Sequence, residues 1–123
     1  TGGSIVNVSS ALARKPVSGF SAYAASKAAL EHLTRCWALE LAPKGIRVNA
    51  VAAGPVETGF LRERMGLTEE AAEAVKNDER TRIPLGKSGE PGDVAAWIVA
   101  LARREAAWVT GQVFGDDGGF MLV

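Results

Sequence analysis

Tyr23 and Lys27 stand four residues apart in the run Tyr23-Ala-Ala-Ser-Lys27, at the start of a long apolar segment. Four residues is about one helical turn, so on a helix the phenol and the ammonium project from one face, one above the other. A positive charge so placed favours the phenolate and makes Tyr23 a usable proton donor or acceptor. Tyr23 is also the only tyrosine in the chain. Upstream, Ser9 and Ser10 close an apolar run, and in parallel sheets the carboxyl edge of the strands is where ligands bind. A serine hydroxyl there is a candidate hydrogen-bond donor to a substrate oxygen.

The elements that must position these groups read as follows. Residues 1–3 form a turn, and 4–8 a short β-branched strand of the kind buried in parallel sheets. Residues 11–20, with Pro16 and Gly19, are a loop, and 21–42 a helix closed by Pro43 and Gly45. Its alanines allow close approach of a neighbour, while Leu33, Trp37 and Leu41 are set to fill a core at spacing four. A second strand at 46–52 ends in the turn Ala53-Gly54-Pro55-Val56-Glu57-Thr58, with a flexible glycine and a φ-restricted proline. Residues 60–88 are a charge-rich connection with one helix at about 68–80, N-capped by Thr68 and with Glu69 and Glu70 near its positive end. A connection of this length suggests a binding lid. A helix from Glu90-Pro91 to about Arg104, a last strand at 109–115 and a turn at 116–119 complete the chain. Alternating strands and helices imply right-handed crossovers and a parallel sheet covered on both faces, with the first strand exposing an edge.

Composition narrows the function classes. With 47% hydrophobic residues and a formal net charge of zero, the 123 residues fit a single globular domain with no nucleic-acid footprint and no anionic-membrane surface. No run of about eighteen apolar residues is present to span a bilayer, and no basic-then-apolar leader is seen. The chain starts at Thr1 rather than methionine, which leaves room for an upstream portion. A single cysteine, Cys36, excludes an internal disulfide and fits a reducing cytoplasm. His32 is the only histidine and lacks companions for a metal site. Cys36 reads as a small core or interface residue, and the charged run through residues 62–82 as the solvated face of the lid.

Taken together, these residues resemble the short-chain dehydrogenase/reductase family, whose pattern is a serine, thirteen residues on a tyrosine, and four residues on a lysine, here Ser10, Tyr23 and Lys27. The flanks agree: Ser-Ile-Val-Asn-Val-Ser-Ser before it, Gly45-Ile-Arg-Val-Asn-Ala-Val after it, and Thr110-Gly-Gln near the end. The resemblance implies an α/β fold, with residues 1–123 as the carboxyl-terminal catalytic half of a doubly wound (Rossmann) parallel-sheet domain and 57–88 as its substrate lid. It implies hydride transfer between NAD or NADP and a carbonyl or secondary alcohol. Tyr23 would be the proton donor or acceptor, Ser10 would hold the substrate oxygen, and Lys27 would assist Tyr23 and bind the nicotinamide ribose. The turn carrying Gly54, Pro55, Val56 and Thr58 would lie along the nicotinamide. No metal is implied.

The resemblance also implies partners: a homo-oligomer in which the 21–42 helix takes part, or a complementing amino-terminal half. The glycine-rich nucleotide turn, the residue that selects NAD or NADP, and the Asn-Ala-Gly segment and catalytic asparagine of the family are not in this sequence. Three positions depart from the family's habit: Ala13 for glycine, Ala53 for proline and Asp116 for valine. The segment Pro84-Leu-Gly-Lys-Ser-Gly-Glu-Pro91 looks most like the 3-oxoacyl-carrier-protein reductase branch. The alternative is a truncated, non-catalytic member that serves as an assembly module.

Overall fold

The computed structural model describes residues 2–123, so the turn expected at residues 1–3 begins on a residue outside the described ones. Three parallel strands, β1 (Gly3–Ser10), β2 (Ile46–Ala53) and β3 (Val113–Asp116), lie in the order β1-β2-β3. β1 and β2 pair residue for residue, from Gly3 opposite Ile46 to Ser10 opposite Ala53, which carries both strands beyond their apolar runs. Val48, Asn49, Ala50, Val51 and Ala52 are buried, as a central parallel strand covered on both faces requires.

β3 starts later than the sequence implies because residues 109–112 are held by side chains as well as by backbone. The Thr110 hydroxyl takes the Val48 N–H at 3.1 Å, and Gly111 turns the chain with φ of 70° before the ladder resumes. Asn49 completes the join from within the core. Its Nδ2 donates to the Val109 carbonyl and its Oδ1 accepts from the Gln112 N–H, each at 3.0 Å.

Helix α1 (Ser21–Leu41) ends in a tight turn at Ala42–Lys44, where Pro43 is followed by Gly45 in the left-handed region at φ 71°. Its buried face is Glu31, Thr34 and Ala38 rather than the expected Leu33, Trp37 and Leu41. The two sets differ by about one residue, or 100° of helix rotation, and the small Thr34 and Ala38 let α1 approach the strands closely. Thr34 accepts a hydrogen bond from Asn7 Nδ2 at 3.0 Å, so the contact is partly polar. Leu33 stays 38% exposed.

After β2 come the short α2 (Phe60–Glu63), α3 (Glu69–Arg82) and α4 (Pro91–Ala102). Thr68 caps α3 as expected, accepting from the Ala71 N–H at 3.1 Å. α4 begins with proline and a reciprocal cap in which the Glu90 N–H donates to Asp93 Oδ2 at 2.7 Å. It stops two residues before the expected Arg104. The Arg47 guanidinium collects the carbonyls of Leu101 at 2.9 Å, Arg103 at 3.2 Å and Val109 at 3.3 Å, and so terminates the helix and anchors the turn after it. None of the helices among the described residues is long and apolar enough to cross a membrane.

The expectation of uniformly right-handed crossovers does not hold. Side chains alternate between faces along a strand, and parallel partners share a face. On β1, Asn7 and Ser9 reach α1, whereas Ser4 reaches the Leu101 carbonyl of α4. Phe114 of β3, on the Ser4 face by register, stacks on Trp97 of α4 with ring centroids 5.8 Å apart. α1 and α4 therefore cover opposite faces. In a sheet whose order runs one way, two right-handed connections would place both helices on one face, so the two connections here have opposite hands.

Asn49 carries the join between β2 and β3, and Asn49→Leu is expected to leave the Gln112 N–H without its side-chain partner and the Val109 carbonyl with only its longer bond to Arg47, at about 1–3 kcal/mol in all. Urea unfolding should show the midpoint fall with its slope unchanged. An unchanged midpoint would show that the side-chain join contributes nothing.

Candidate active site

The register sets the site's frame. Ser10, Ala53 and Asp116 are Cα partners in one row, so all three strands end together at their carboxyl edge. The loops that leave this row are the ones that carry the candidate residues.

Ser10 is buried and opens a tight turn at Ala11–Ala13, its Oγ accepting the Leu12 N–H at 3.1 Å. That bond uses a lone pair of the oxygen and leaves the hydroxyl proton to donate. Tyr23 lies in the first turn of α1 and is 45% exposed. One turn on, the Lys27 Nζ donates to the Val8 carbonyl at 3.1 Å and stands 5.7 Å from the centroid of the Tyr23 ring. The same strand end grips the helix backbone, because Ser9 Oγ donates to the Lys27 carbonyl at 3.4 Å. Tyr23 and Lys27 thus meet directly, and both are referred to Ser10 through the strand that ends in it.

The loop between Ser10 and Tyr23 is pinned as well. Arg14 Nε donates to Glu31 Oε1 at 3.2 Å, and Glu31 is a buried carboxylate of α1. Behind Ser10, Ala11 packs with Ile83 and Phe120 in a small apolar cluster that Leu12 and Met121 flank.

The turn after β2 is held extended. The Gly54 N–H donates to the Asp116 carbonyl at 2.9 Å, the Gly89 N–H to the Pro55 carbonyl at 2.9 Å, and the Glu57 N–H to the Gly89 carbonyl at 2.8 Å. Gly54 is required by proximity: a Cβ there would lie 2.7 Å from the Asp117 Cα. Gly54, Pro55 and Val56 therefore form a strip that leaves the sheet beside Ser10, with Thr58 exposed farther on. A cleft of about 310 Å³ opens next to this strip, lined by Pro55, Lys87, Asp93, Trp97, Asp116 and Asp117. A larger one of about 730 Å³ lies at the opposite ends of the strands, near Gly3, Ile46, Arg47 and Trp108. Neither is lined by Tyr23 or Lys27.

Two features were not legible beforehand. Asp116 is the residue that replaces the family's usual valine, and burial, then the nearby Asp93 and Asp117, push its carboxyl up from the usual range. Its Oδ2 is buried without a hydrogen-bond partner. The charged run read as a solvated face is in part a network: Lys76 Nζ at 3.0 Å and Arg80 Nη2 at 2.8 Å both bind the Glu57 carboxylate. Those hydrogen bonds, Lys76 first and then Arg80, hold the Glu57 carboxyl below the usual range. Lys76 and Arg80 at helical spacing were the available signal, but their partner lies in a distant turn. His32 is exposed, Cys36 is half-buried, and no group of side chains able to hold a metal ion occurs among the described residues.

Comparison with known proteins bears on this arrangement. The family described as enoyl-(acyl carrier protein) reductase matches residues 1–121. The chain is 47% identical over 120 residues to the 3-oxoacyl-[acyl-carrier-protein] reductase FabG of Thermotoga maritima, covering 98% of this chain and 46% of that protein. It is 44% identical over 122 residues to carbonyl reductase family member 4 of Danio rerio, covering 99% and 46%. Among solved structures, a short-chain dehydrogenase/reductase from Caenorhabditis elegans with cofactor superposes with a TM-score of 0.88 at 42% identity, over 98% of this chain and 46% of that one. A small-chain dehydrogenase in complex with NADPH gives 0.86 at 36% identity, over 100% and 53%. The chain spans about half the length of the curated relatives it matches.

For Asp116 the sign of the pH effect follows from burial. A carboxyl raised in the folded state costs stability once pH exceeds its unfolded value, and that cost vanishes in acid, where both states are protonated. Asp116→Asn is therefore expected to raise the thermal midpoint at pH 7 by a few degrees, with the gain shrinking as pH falls through the carboxylate range. A lower midpoint at pH 7 would mean the carboxylate is stabilising.

Proposed function

Since the chain belongs to the short-chain dehydrogenase/reductase family, we propose that it supplies the acid–base half of an NAD(P)-dependent oxidoreductase acting on a carbonyl or secondary alcohol. The observation that carries this reading is the tethered Lys27 ammonium over the Tyr23 ring, beside the Ser10 strand end. In the reductive direction Tyr23 Oη gives its proton to the substrate oxygen. Ser10 Oγ donates a hydrogen bond to that same oxygen and holds it in place. When bound, the nicotinamide would supply or take up the hydride.

The donor set suits such a cofactor. Lys27 commits one of its three N–H donors to Val8 and keeps two for the hydroxyls of a ribose. Tyr23, Lys27 and the strip of Gly54, Pro55, Val56 and Thr58 are the residues we assign to it, and either NAD or NADP is compatible with them. The remaining nucleotide contacts would come from the rest of the natural chain or from a complementing one. Residues 57–88 are assigned as a lid over the substrate, and the substrate class as a 3-oxoacyl thioester or related ketone, in keeping with the reductase relatives.

We further infer a homo-oligomer, supported by apolar side chains that α1 leaves exposed, Leu33 and Leu39. A cytoplasmic setting is supported by the lone cysteine. The same exposed side chains support the second reading, a non-catalytic assembly module, which differs in predicting tight association without cofactor binding.

In the full natural protein, Tyr23→Phe is expected to lower NADPH-dependent carbonyl reduction by roughly 10²–10⁴-fold while NADPH affinity, read by fluorescence, changes little. Retained turnover would overturn the assignment of Tyr23.

A further inference from the structure

Resting on the reading of residues 57–88 as a lid, we propose that Glu57 is a positioning residue for the reaction. Its carboxylate grips α3 and so sets how closely the lid covers the substrate.

The case begins with what α3 lacks. Of its fourteen residues only Ala72 is buried, so apolar burial contributes little to holding this helix in place. Two cations do more. Lys76 and Arg80 are one turn apart on one face and converge on a single carboxylate, at 3.0 and 2.8 Å. The Arg80 guanidinium continues the network to Glu73 of the same helix at 3.2 Å. The three central side chains are mostly shielded, with exposures of 24% for Glu57, 20% for Lys76 and 31% for Arg80. A shared, shielded carboxylate is screened less than an isolated surface pair.

Glu57 is also fixed at its own backbone. Its N–H donates to the Gly89 carbonyl, in the short parallel bridge that joins Val56 to Gly89. Both ends of the segment are thus closed together at the residue whose side chain reaches across to α3. That residue lies between Val56 and Thr58, in the strip assigned to the nicotinamide. Lid position and cofactor strip therefore share one element, and a change in the ion pairs moves the lid without touching Ser10, Tyr23 or Lys27. Other charges around the network are Glu79 and the Asp78–Arg82 pair, all on α3 itself.

The test uses the full natural protein, with Glu57→Gln to remove the charge at nearly constant shape. Hydrogen exchange of the α3 amides is followed without ligand, and KM and kcat are measured with NADPH and acetoacetyl-coenzyme A as the probe. Each is read at low salt and at about 0.5 M NaCl, where the screening length falls to a few ångströms. In the wild type, salt should speed α3 exchange in part, since the pairs are shielded but not fully buried, with kcat changing less than KM. Glu57→Gln should show the fast exchange and high KM already at low salt, with little further response of α3 exchange, and Glu57→Asp should restore part of the difference. Glu73→Gln, which touches only the outer partner, should move both readouts less.

Wild-type exchange and KM in Glu57→Gln, or α3 exchange that keeps its full salt response there, would overturn the proposal. Should Glu57→Gln fail to fold, Lys76→Met is read the same way. If neither the wild type nor any variant turns over or binds NADPH or NADH, the oxidoreductase reading fails on its own, and α3 exchange still decides whether Glu57 holds the helix.

Discussion

The parallel register of the three strands is the constraint on which the rest depends. Because Ser10, Ala53 and Asp116 are partners in one row, every loop at the carboxyl edge starts from the same level. Ser10 can then face the turn after β2, and α1 can bring Tyr23 and Lys27 down onto the end of β1. A slip of one residue would send each side chain to the opposite face of the sheet. Asn7 and Ser9 would lose α1, and Ser4 and Arg47 would lose the end of α4.

Polar groups inside the fold hold that register. Asn49, buried completely, and Thr110 join β2 to the entry of β3, while Arg47 gathers three carbonyls at the end of α4. Together they satisfy backbone groups where β2 meets the entry of β3 and where α4 ends. On the other face, Lys27 reaches the Val8 carbonyl and Glu31 receives Arg14, so the two ends of the Ser10 loop are fixed to the same helix. Among the described residues, Glu31 Oε2, Ser88 Oγ and Asp116 Oδ2 are the exceptions, each buried without a hydrogen-bond partner, and Asp116 stands at the very edge of the site.

Much of this was legible in the sequence where the determinant is local. The helix at 21–41 announces its end with Pro43 and Gly45, Thr68 marks the start of α3, and Pro91 the start of α4. The four-residue spacing of Tyr23 and Lys27 put them on one face, as found. What escaped depends on partners far along the chain. Spacing four on α1 fits two adjacent stripes, and only the strands decide that Thr34 and Ala38, rather than Leu33 and Trp37, face inward. Glu57 read as part of a turn because its cations lie nineteen and twenty-three residues away. The opposite hands of the two connections follow from which strand faces the helices cover, which no local pattern encodes.

The most direct test of the functional reading is isotopic. The full natural protein is incubated with NADPH deuterated at C4 of the nicotinamide and acetoacetyl-coenzyme A, and the hydroxyl product is examined by mass spectrometry. Direct hydride transfer at this site predicts one deuterium on the new carbinol carbon from one of the two C4 positions and none from the other. A product without deuterium from either position, or NADPH and NADH both left unconsumed across ketones of this class, would contradict it.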